Sequence, residues 1–284
     1  MTIRASVVRE LRERTGAGMM ECKKALLETN GDMDAAIAWL RKHGLSKAAK
    51  KAERVAKEGT IAVYIGPNDA SMTLVEVHCE TDFVAKNEQF QQFASTVAQI
   101  IGEHDFSDVA AVQGAMLDGE TVLQHQTQLT MTIGENIGVG RFAKRVVQKP
   151  SERLIHYIHA GSKIGVIVQF DDPRQQLSDD VARDIAMHVA AMNPPYVTRT
   201  AVPAPLIEKE EEILRAQLAD DKKPAEIVEK ILQGRLNKFF AEICLDEQVF
   251  VKDPQGKRSV QQILHSVGDA IRVKDMVRLQ VGTE

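Results

Sequence analysis

Apolar positions recur at helical spacing from the start of the chain. Ile3, Val7, Val8 and Leu11 share a face, Gly16 and Gly18 interrupt it, and Met19, Met20, Cys22, Leu26 and Leu27 build a second face. Asn30-Gly31 is a turn signal. Asp32 is a natural N-cap for a third helix carrying Ile37, Trp39 and Leu40, and Gly44 suits its C-cap. The pattern predicts three short helices over residues 1–44, with a core too small for more than marginal stability alone. Residues 45–58, LSKAAKKAERVAKE, are rich in Ala and Lys, with Lys47, Lys50, Lys51, Arg54 and Lys57 facing Glu53 and Glu58. High helix propensity and a thin apolar face predict a linker helix. A phosphate-binding stripe is the alternative reading of the same charges.

The pattern then changes period. Residues 61–65 and 72–79 alternate like strands around a Gly66-Pro67-Asn68-Asp69 turn, and Phe90, Phe93, Val97 and Ile101 return to helical spacing. The plan recurs further along. Residues 154–159 and 164–170 form a second hairpin around Ala160-Gly161-Ser162, and Val181, Ile185, His188 and Val189 mark a helix over 178–192. Each hairpin and helix gains an extended segment, the first near Gly138 to Val147 and the second near Ala241 to Val251. This predicts an α+β fold with two related subdomains, each a small antiparallel sheet covered by a helix. Inside the second unit, residues 206–219 and 224–239 read as an antiparallel helical hairpin. Asp220-Asp221-Lys222-Lys223 joins its arms, and Pro224 suits the first turn of the second. Leu206, Ile213 and Leu214 are expected to share one face, as are Ile227, Val228, Ile231 and Leu232. Too little is buried for a core, so the hairpin is expected to protrude.

The composition adds few constraints. The chain has 284 residues, 44% apolar and 27% charged, with a net charge of −4 that gives no general pull toward nucleic acid or acidic lipid. Three separated cysteines, Cys22, Cys79 and Cys244, form no Cys-x-x-Cys pair and argue against a disulfide framework or zinc ribbon. Charges where a secretory signal needs an apolar stretch, and the lack of a long apolar run, predict a cytoplasmic protein without membrane association. No covalent chemistry emerges. Gly256-Lys257-Arg258 lacks the upstream glycine and the hydroxyl of a phosphate loop. Gly138-Val139-Gly140-Arg141-Phe142-Ala143 matches a dinucleotide fingerprint in letters but lies in a predicted strand. The eight histidines are scattered. His156 and His159 point to opposite strand faces, and His188 reads as a core or interface residue. No metal, cofactor or catalytic residue is expected.

Residues 79–87, Cys79-Glu80-Thr81-Asp82-Phe83-Val84-Ala85-Lys86-Asn87, separate a predicted strand from a predicted helix. One reading is local: Thr81 or Asp82 caps that helix and Phe83 staples it. The other comes from resemblance. Thr81 to Asn87 resembles the signature of the elongation factor Ts family, as do Leu11 to Leu26, Ile133-Gly134-Glu135-Asn136-Ile137, Tyr157 to Val166 and Ile185 to Ala191, in family order.

The resemblance implies a ubiquitin-associated-like helical domain over 1–44, a linker helix over 45–58 and a core subdomain over 59–150. It implies a second core subdomain over 151–200 and 240–284, and an inserted hairpin over 201–239 that some members use to dimerise. It also implies a function, which is to bind elongation factor Tu, GDP-bound and then nucleotide-free, and to promote exchange of GDP for GTP by displacing Mg²⁺ from the partner and opening its nucleotide site. Thr81, Asp82, Phe83 and Val84 would form the wedge near that ion. Thr15, Gly16, Ala17, Gly18, Met19 and Met20 would hold the nucleotide domain, although core packing of both Met side chains is an equal reading. His159, Gly161, Met187 and His188 would meet another domain of the partner. Longer members continue into a C-terminal helix with a further partner contact, which is not expected of a chain ending at Glu284. A docking adaptor, an RNA-binding factor using residues 45–58 and an enzyme with an unrecognised site remain the competing classes.

Overall fold

The structure is a computed structural model that describes residues 3–218 and 224–283. Helices α1 (Ala5–Thr15), α2 (Met19–Glu28) and α3 (Met33–Ala52) form an N-terminal bundle around Leu11, Cys22, Ala25, Leu26 and Ala36. Gly16 ends α1 in the left-handed region at φ 66°, and its N–H reaches Arg12 O at 2.7 Å. Asp32 caps α3 by accepting from Ala35 N at 2.8 Å. Gly44 does not end this helix. α3 runs through it to Ala52, and Glu53 to Lys57 are irregular, so the separate linker helix expected over 45–58 is replaced by an extension of α3. One glycine costs a helix only about 1 kcal/mol, and the Ala- and Lys-rich residues beyond it favour continuation. Lys47 and Lys50 lie outside the residues whose side chains are described.

The chain continues as β1 (Glu58–Ile65), β2 (Ser71–Cys79), α4 (Asp82–Ala85), α5 (Glu88–Glu103) and α6 (Val109–Gly114). The short pair β3 (Met116–Leu117) and β4 (Glu120–Thr121) leads into α7 (Val122–Ile133) and β5 (Gly138–Val146). Next come β6 (Glu152–Ile158), β7 (Ile164–Asp171), α8 (Asp179–Met192), α9 (Ala204–Leu218), α10 (Ala225–Ile243), α11 (Val260–Val267) and β8 (Arg272–Gln280). The first sheet has the order β1-β2-β5 and the second β6-β7-β8, both antiparallel. The third strand of the second sheet is therefore β8, not the predicted segment near Ala241 to Val251. Residues there finish α10 and then make isolated bridges, Tyr196 with Cys244 and Val249 with Ser259. Their apolar side chains, Leu245 and Phe250, are buried against the second core instead of in a ladder.

Four layers result. α5 covers one face of the first sheet through Phe90, Phe93, Ala94 and Val97, and α8 covers the outer face of the second through Ala182, Ile185 and Val189. The remaining sheet faces meet each other. Ile61, Met72 and Leu74 pack against Leu154, Ile167 and Leu279. β2 is thus buried on both sides, with Val75 and Val77 toward α5 and Met72, Leu74 and Glu76 toward the second sheet, as alternation requires. Gly165 makes the approach possible, because a Cβ there would lie 2.5 Å from Ile61 Cγ2. Glu76, 1% exposed, accepts from Arg141 Nε and Nη2 at 3.1 Å each and from Gly282 N at 2.8 Å. Arg141 Nη2 also reaches Gln280 O and Thr283 Oγ1. One ion pair therefore fastens the end of β8 to β2 and β5.

The inserted arms pack Leu214 and Leu218 of α9 against Leu232, Leu236 and Phe240 of α10. Leu206, Ile213 and Ile227 are exposed, so the contact stripe runs through Ile207, Leu214 and Leu218 and not through Leu206 and Ile213. Helical spacing places the latter two about 100° off that stripe. Pro224 stands at the N-cap of α10, one residue before its first turn. The connecting residues 219–223 lie outside the described residues. Among the described residues, no helix is long and apolar enough to cross a membrane.

Candidate partner-binding site

The segment 79–87 forms a one-turn helix, α4, between β2 and α5. Thr81 caps it, accepting from Val84 N at 3.4 Å and donating from its hydroxyl to Glu135 Oε1 at 2.7 Å. Glu135 Oε2 accepts from the N–H groups of Glu80 and Thr81 at 3.1 and 3.0 Å. Glu80 Oε1 in turn accepts from Asn136 N at 2.7 Å. Ala85 is buried and Val84 packs on the same core, so the turn is held from behind. Its other side faces solvent, and Phe83 is 81% exposed. Asp82 lies beside it. A hydrogen bond from the Lys86 ammonium at 3.1 Å holds the Asp82 carboxyl below its usual value.

The local reading of this segment is thereby corrected. Asn87, not Thr81 or Asp82, caps α5, accepting from Gln89 N and Phe90 N at 2.9 and 3.3 Å. Phe83 staples nothing, being turned to solvent. Burial raises the Cys79 thiol to about 11, and its S–H points to Thr81 O at 3.1 Å, which makes it a supporting group and no nucleophile. Within Thr81 to Val84, two side chains face inward and two outward.

The α1–α2 turn divides in a similar way. Thr15 donates to Leu11 O at 2.7 Å, and Ala17 is buried. A Cβ on Gly16 would lie 3.3 Å from Thr132 Oγ1, so the turn abuts α7. Between the bundle and α7 lies a cleft of about 310 Å³, crossed by an Arg41–Glu120 ion pair at 3.2 Å. Gly18 precedes α2, whose first residues Met19 and Met20 are 41% and 73% exposed. The equal reading that both are core is overturned, because Cys22, Ala25 and Leu26 supply the inward face of α2.

The four residues of the second subdomain do not form one patch. His159 and Gly161 are exposed in the β6–β7 turn, where Gly161 adopts φ 81° and the His159 ring meets Tyr157 OH at 3.1 Å. Ser162 of that turn accepts from Ile61 N at 2.7 Å, tying it to the first sheet. Met187 is half-buried on α8. His188 is fully buried: Val251 N donates to its Nδ1 at 3.1 Å, which leaves Nε2–H to donate to Gln248 Oε1 at 2.9 Å. Burial lowers its pKa, so the ring is neutral and braces the 248–251 segment from inside.

Comparison with known proteins bears on what these surfaces serve. A family model described as Elongation factor TS matches residues 80–283. The chain is 47% identical over 282 residues to the elongation factor Ts of Thioalkalivibrio sulfidiphilus, covering 99% of this chain and 93% of the relative. It is 45% identical over 289 residues to that of Nitratiruptor, with 99% and 94% covered, and 43% identical over 286 residues to that of Clostridium perfringens, with 99% and 93% covered. The chain belongs to the elongation factor Ts family. Family membership makes it an elongation factor of protein biosynthesis and matches the observed α+β architecture. The family match begins at Glu80, at the head of the turn that presents Phe83. What the sequence reading of the family motifs missed was the part played by Glu135. The signal was present, as an acid in the short motif Ile133 to Ile137, but nothing local connects it with residue 81.

Proposed function

We propose that this chain binds elongation factor Tu carrying GDP and speeds the exchange of GDP for GTP, making and breaking no covalent bond itself. The observation that carries the reading is Phe83, a large apolar side chain left 81% exposed on a turn that Thr81, Val84 and Ala85 anchor from behind. Burying such a side chain in a slot of the partner yields roughly 1.5–3 kcal/mol. At about 1.4 kcal/mol per decade, that offsets ten- to a hundredfold in nucleotide affinity. Asp82 enters beside it. Mg²⁺ in a nucleotide site keeps several waters and tolerates little distortion, so a carboxylate at the mouth of the slot disturbs its coordination. Phe83 is not the whole effect. Only differential affinity shifts an equilibrium, so other contacts also favour the nucleotide-poor partner, and GDP weakens the grip by the same ratio.

Met19 and Met20 supply an adaptable contact for the nucleotide domain. The His159–Gly161 turn and, separately, Met187 supply further contacts in the second subdomain, and His188 braces the 248–251 segment from within. Attachment at two points gives the wedge leverage. The factor works in the cytoplasm without nucleic acid, and the exposed Leu206, Ile213 and Ile227 of the hairpin offer a surface to a second copy of the chain.

The test is stopped-flow release of fluorescent GDP from a cognate elongation factor Tu, with the parent and with Phe83→Ala. Strong acceleration by the parent and roughly tenfold less by a folded variant is expected. Equal acceleration by both removes Phe83 from the mechanism. No acceleration by the folded parent at any concentration favours a docking adaptor.

A further inference from the structure

Two residues, Glu80 and Thr81, lie between the last residue of β2 and the first of α4. Their backbone N–H groups belong to neither a ladder nor a helix, yet they are half-buried and need acceptors. Both go to one carboxylate oxygen of Glu135, 3.1 and 3.0 Å away, and the Thr81 hydroxyl goes to the other at 2.7 Å. A carboxylate offers about four lone-pair sites, so Glu135 is nearly filled by this one dipeptide. The hydroxyl it fixes also caps α4. The orientation of the turn that bears Phe83 therefore depends on a side chain 54 residues away in sequence.

The loop carrying Glu135 is itself fastened on two sides. Gly134 closes α7 at φ 94°, and its carbonyl accepts from Lys51 Nζ at 2.7 Å. Asn136 N donates back to Glu80 Oε1, while Asn136 Nδ2 donates to Arg54 O at 2.8 Å. Arg54 Nη1 lies 3.6 Å from Glu80 Oε1. Residues at the end of α3, the Gly134–Asn136 loop and the head of the wedge thus form one polar clasp, made mostly of charge-assisted bonds.

We propose that Glu135 is the positioning residue of the wedge, holding Glu80 and Thr81 so that α4 enters the partner with Phe83 foremost and so that the grip of the N-terminal bundle is transmitted to it. This rests on the wedge reading above. Glu135 touches neither nucleotide nor ion; it acts through Thr81. Its loss therefore changes how well the bound factor expels GDP and, by linkage, how tightly it holds the nucleotide-free partner, while its binding to the GDP-loaded partner is kept because Met19, Met20, His159 and Met187 are untouched.

The experiment titrates GDP release from elongation factor Tu with the parent, Glu135→Ala, Glu135→Gln, Phe83→Ala and the Phe83→Ala/Glu135→Ala double variant, after checking each fold by circular dichroism. Glu135→Ala is expected to lower the limiting release rate about tenfold while the half-saturating concentration stays within about twofold. Glu135→Gln recovers most of the rate, since its amide oxygen still accepts both backbone N–H groups. The double variant is no slower than Phe83→Ala alone, because both changes disable one device. A parent-like limiting rate in Glu135→Ala, a loss confined to half-saturation, or losses that multiply in the double variant overturns the proposal and leaves the wedge standing. A parent-like rate in Phe83→Ala overturns the wedge and this proposal with it. Should Glu135→Ala not fold, Thr81→Val removes the hydroxyl's bond to Glu135 together with its cap on Val84 N and is expected to lower the limiting rate severalfold, with no change refuting the role.

Discussion

Replacing Arg141 with methionine leaves a carboxylate buried between the two sheets with one partner gone. Arg141 gives Glu76 two hydrogen bonds at 3.1 Å and gives one each to Gln280 O and Thr283 Oγ1, at 3.0 and 3.2 Å. Glu76 is 1% exposed, and after the change it keeps the Gly282 N–H at 2.8 Å. Removing one member of a fully buried pair costs about 3–5 kcal/mol. The Arg141 side chain is 41% exposed, so water already shields part of the charge and the cost falls to about 2–3 kcal/mol.

That cost is concentrated at one end of β8. The antiparallel ladder with β7 and the ion pair between Arg145 and Asp275 hold the rest of the strand. The least expensive way to hydrate Glu76 is for residues 280–283 to lift away. Hydrogen exchange followed by mass spectrometry reads this directly in a peptide spanning 278–283, where a cost of about 2–3 kcal/mol corresponds to roughly 30- to 150-fold faster exchange. Exchange in β1 and in the outward half of the first sheet stays unchanged. Adding Glu76→Gln to Arg141→Met replaces the stranded charge with a neutral amide and recovers about tenfold of the protection. If Arg141→Met exchanges like the parent while folded, or if the second substitution worsens the loss, the account of a charge lock between the sheets is wrong.

Two further outcomes are expected. Burial raises the Asp246 carboxyl to about 6 from 3.8, so the folded state binds its proton more tightly than the unfolded chain. Stability from this group is full below 3.8 and is lost as pH rises through about 6. Asp246→Asn accordingly stabilises the protein at pH 7 by about 1–3 kcal/mol after allowance for partial exposure, and by much less at pH 4, as read from urea midpoints. Gly59 adopts φ 153°, and a Cβ there would lie 2.1 Å from Val77 O, so Gly59→Ala must shift the backbone of β1 or β2 and lowers the denaturation midpoint by the equivalent of about 2 kcal/mol or more.

Features set by local physics were legible in the sequence. Asp32 as a cap, the Gly66-Pro67-Asn68-Asp69 turn, both hairpins and the apolar face of α5 each depend on residues a few positions apart, and each stands where its pattern placed it. The reading failed where two local rules competed. Gly44 invited a helix end, but propensity on either side outweighed one glycine. Phe83 was legible as exceptional only through resemblance, because an apolar residue after a capping threonine looks the same whether it turns inward or outward. The direction is decided by Ala85 and Val84, which take the inward positions of so short a turn.

The harder failures share a cause. β8 pairs with β7 across more than a hundred residues, and the pattern of Arg272 to Gln280, with charges at Arg272, Lys274, Asp275 and Arg278, does not read as a strand covered on one face. Three of those charges are accounted for by partners from elsewhere: Lys274 meets Glu152, Asp275 meets Arg145, and Arg278 donates to Ala190 O. A polar residue in a strand signals solvent only if no distant ion pair claims it, and sequence order carries no record of such a claim. Glu135 and Glu76 belong to the same class. Each is a carboxylate that would read as surface, and each is filled by donors brought from another part of the chain, by Glu80 and Thr81 in one case and by Arg141 and Gly282 in the other. In this fold the two carboxylates stand at junctions, one between the first sheet and the turn that bears Phe83 and one between sheet and sheet. Backbone turns there leave N–H groups without regular partners, and a side-chain acceptor fixed from a distance sets the angle at which the pieces meet.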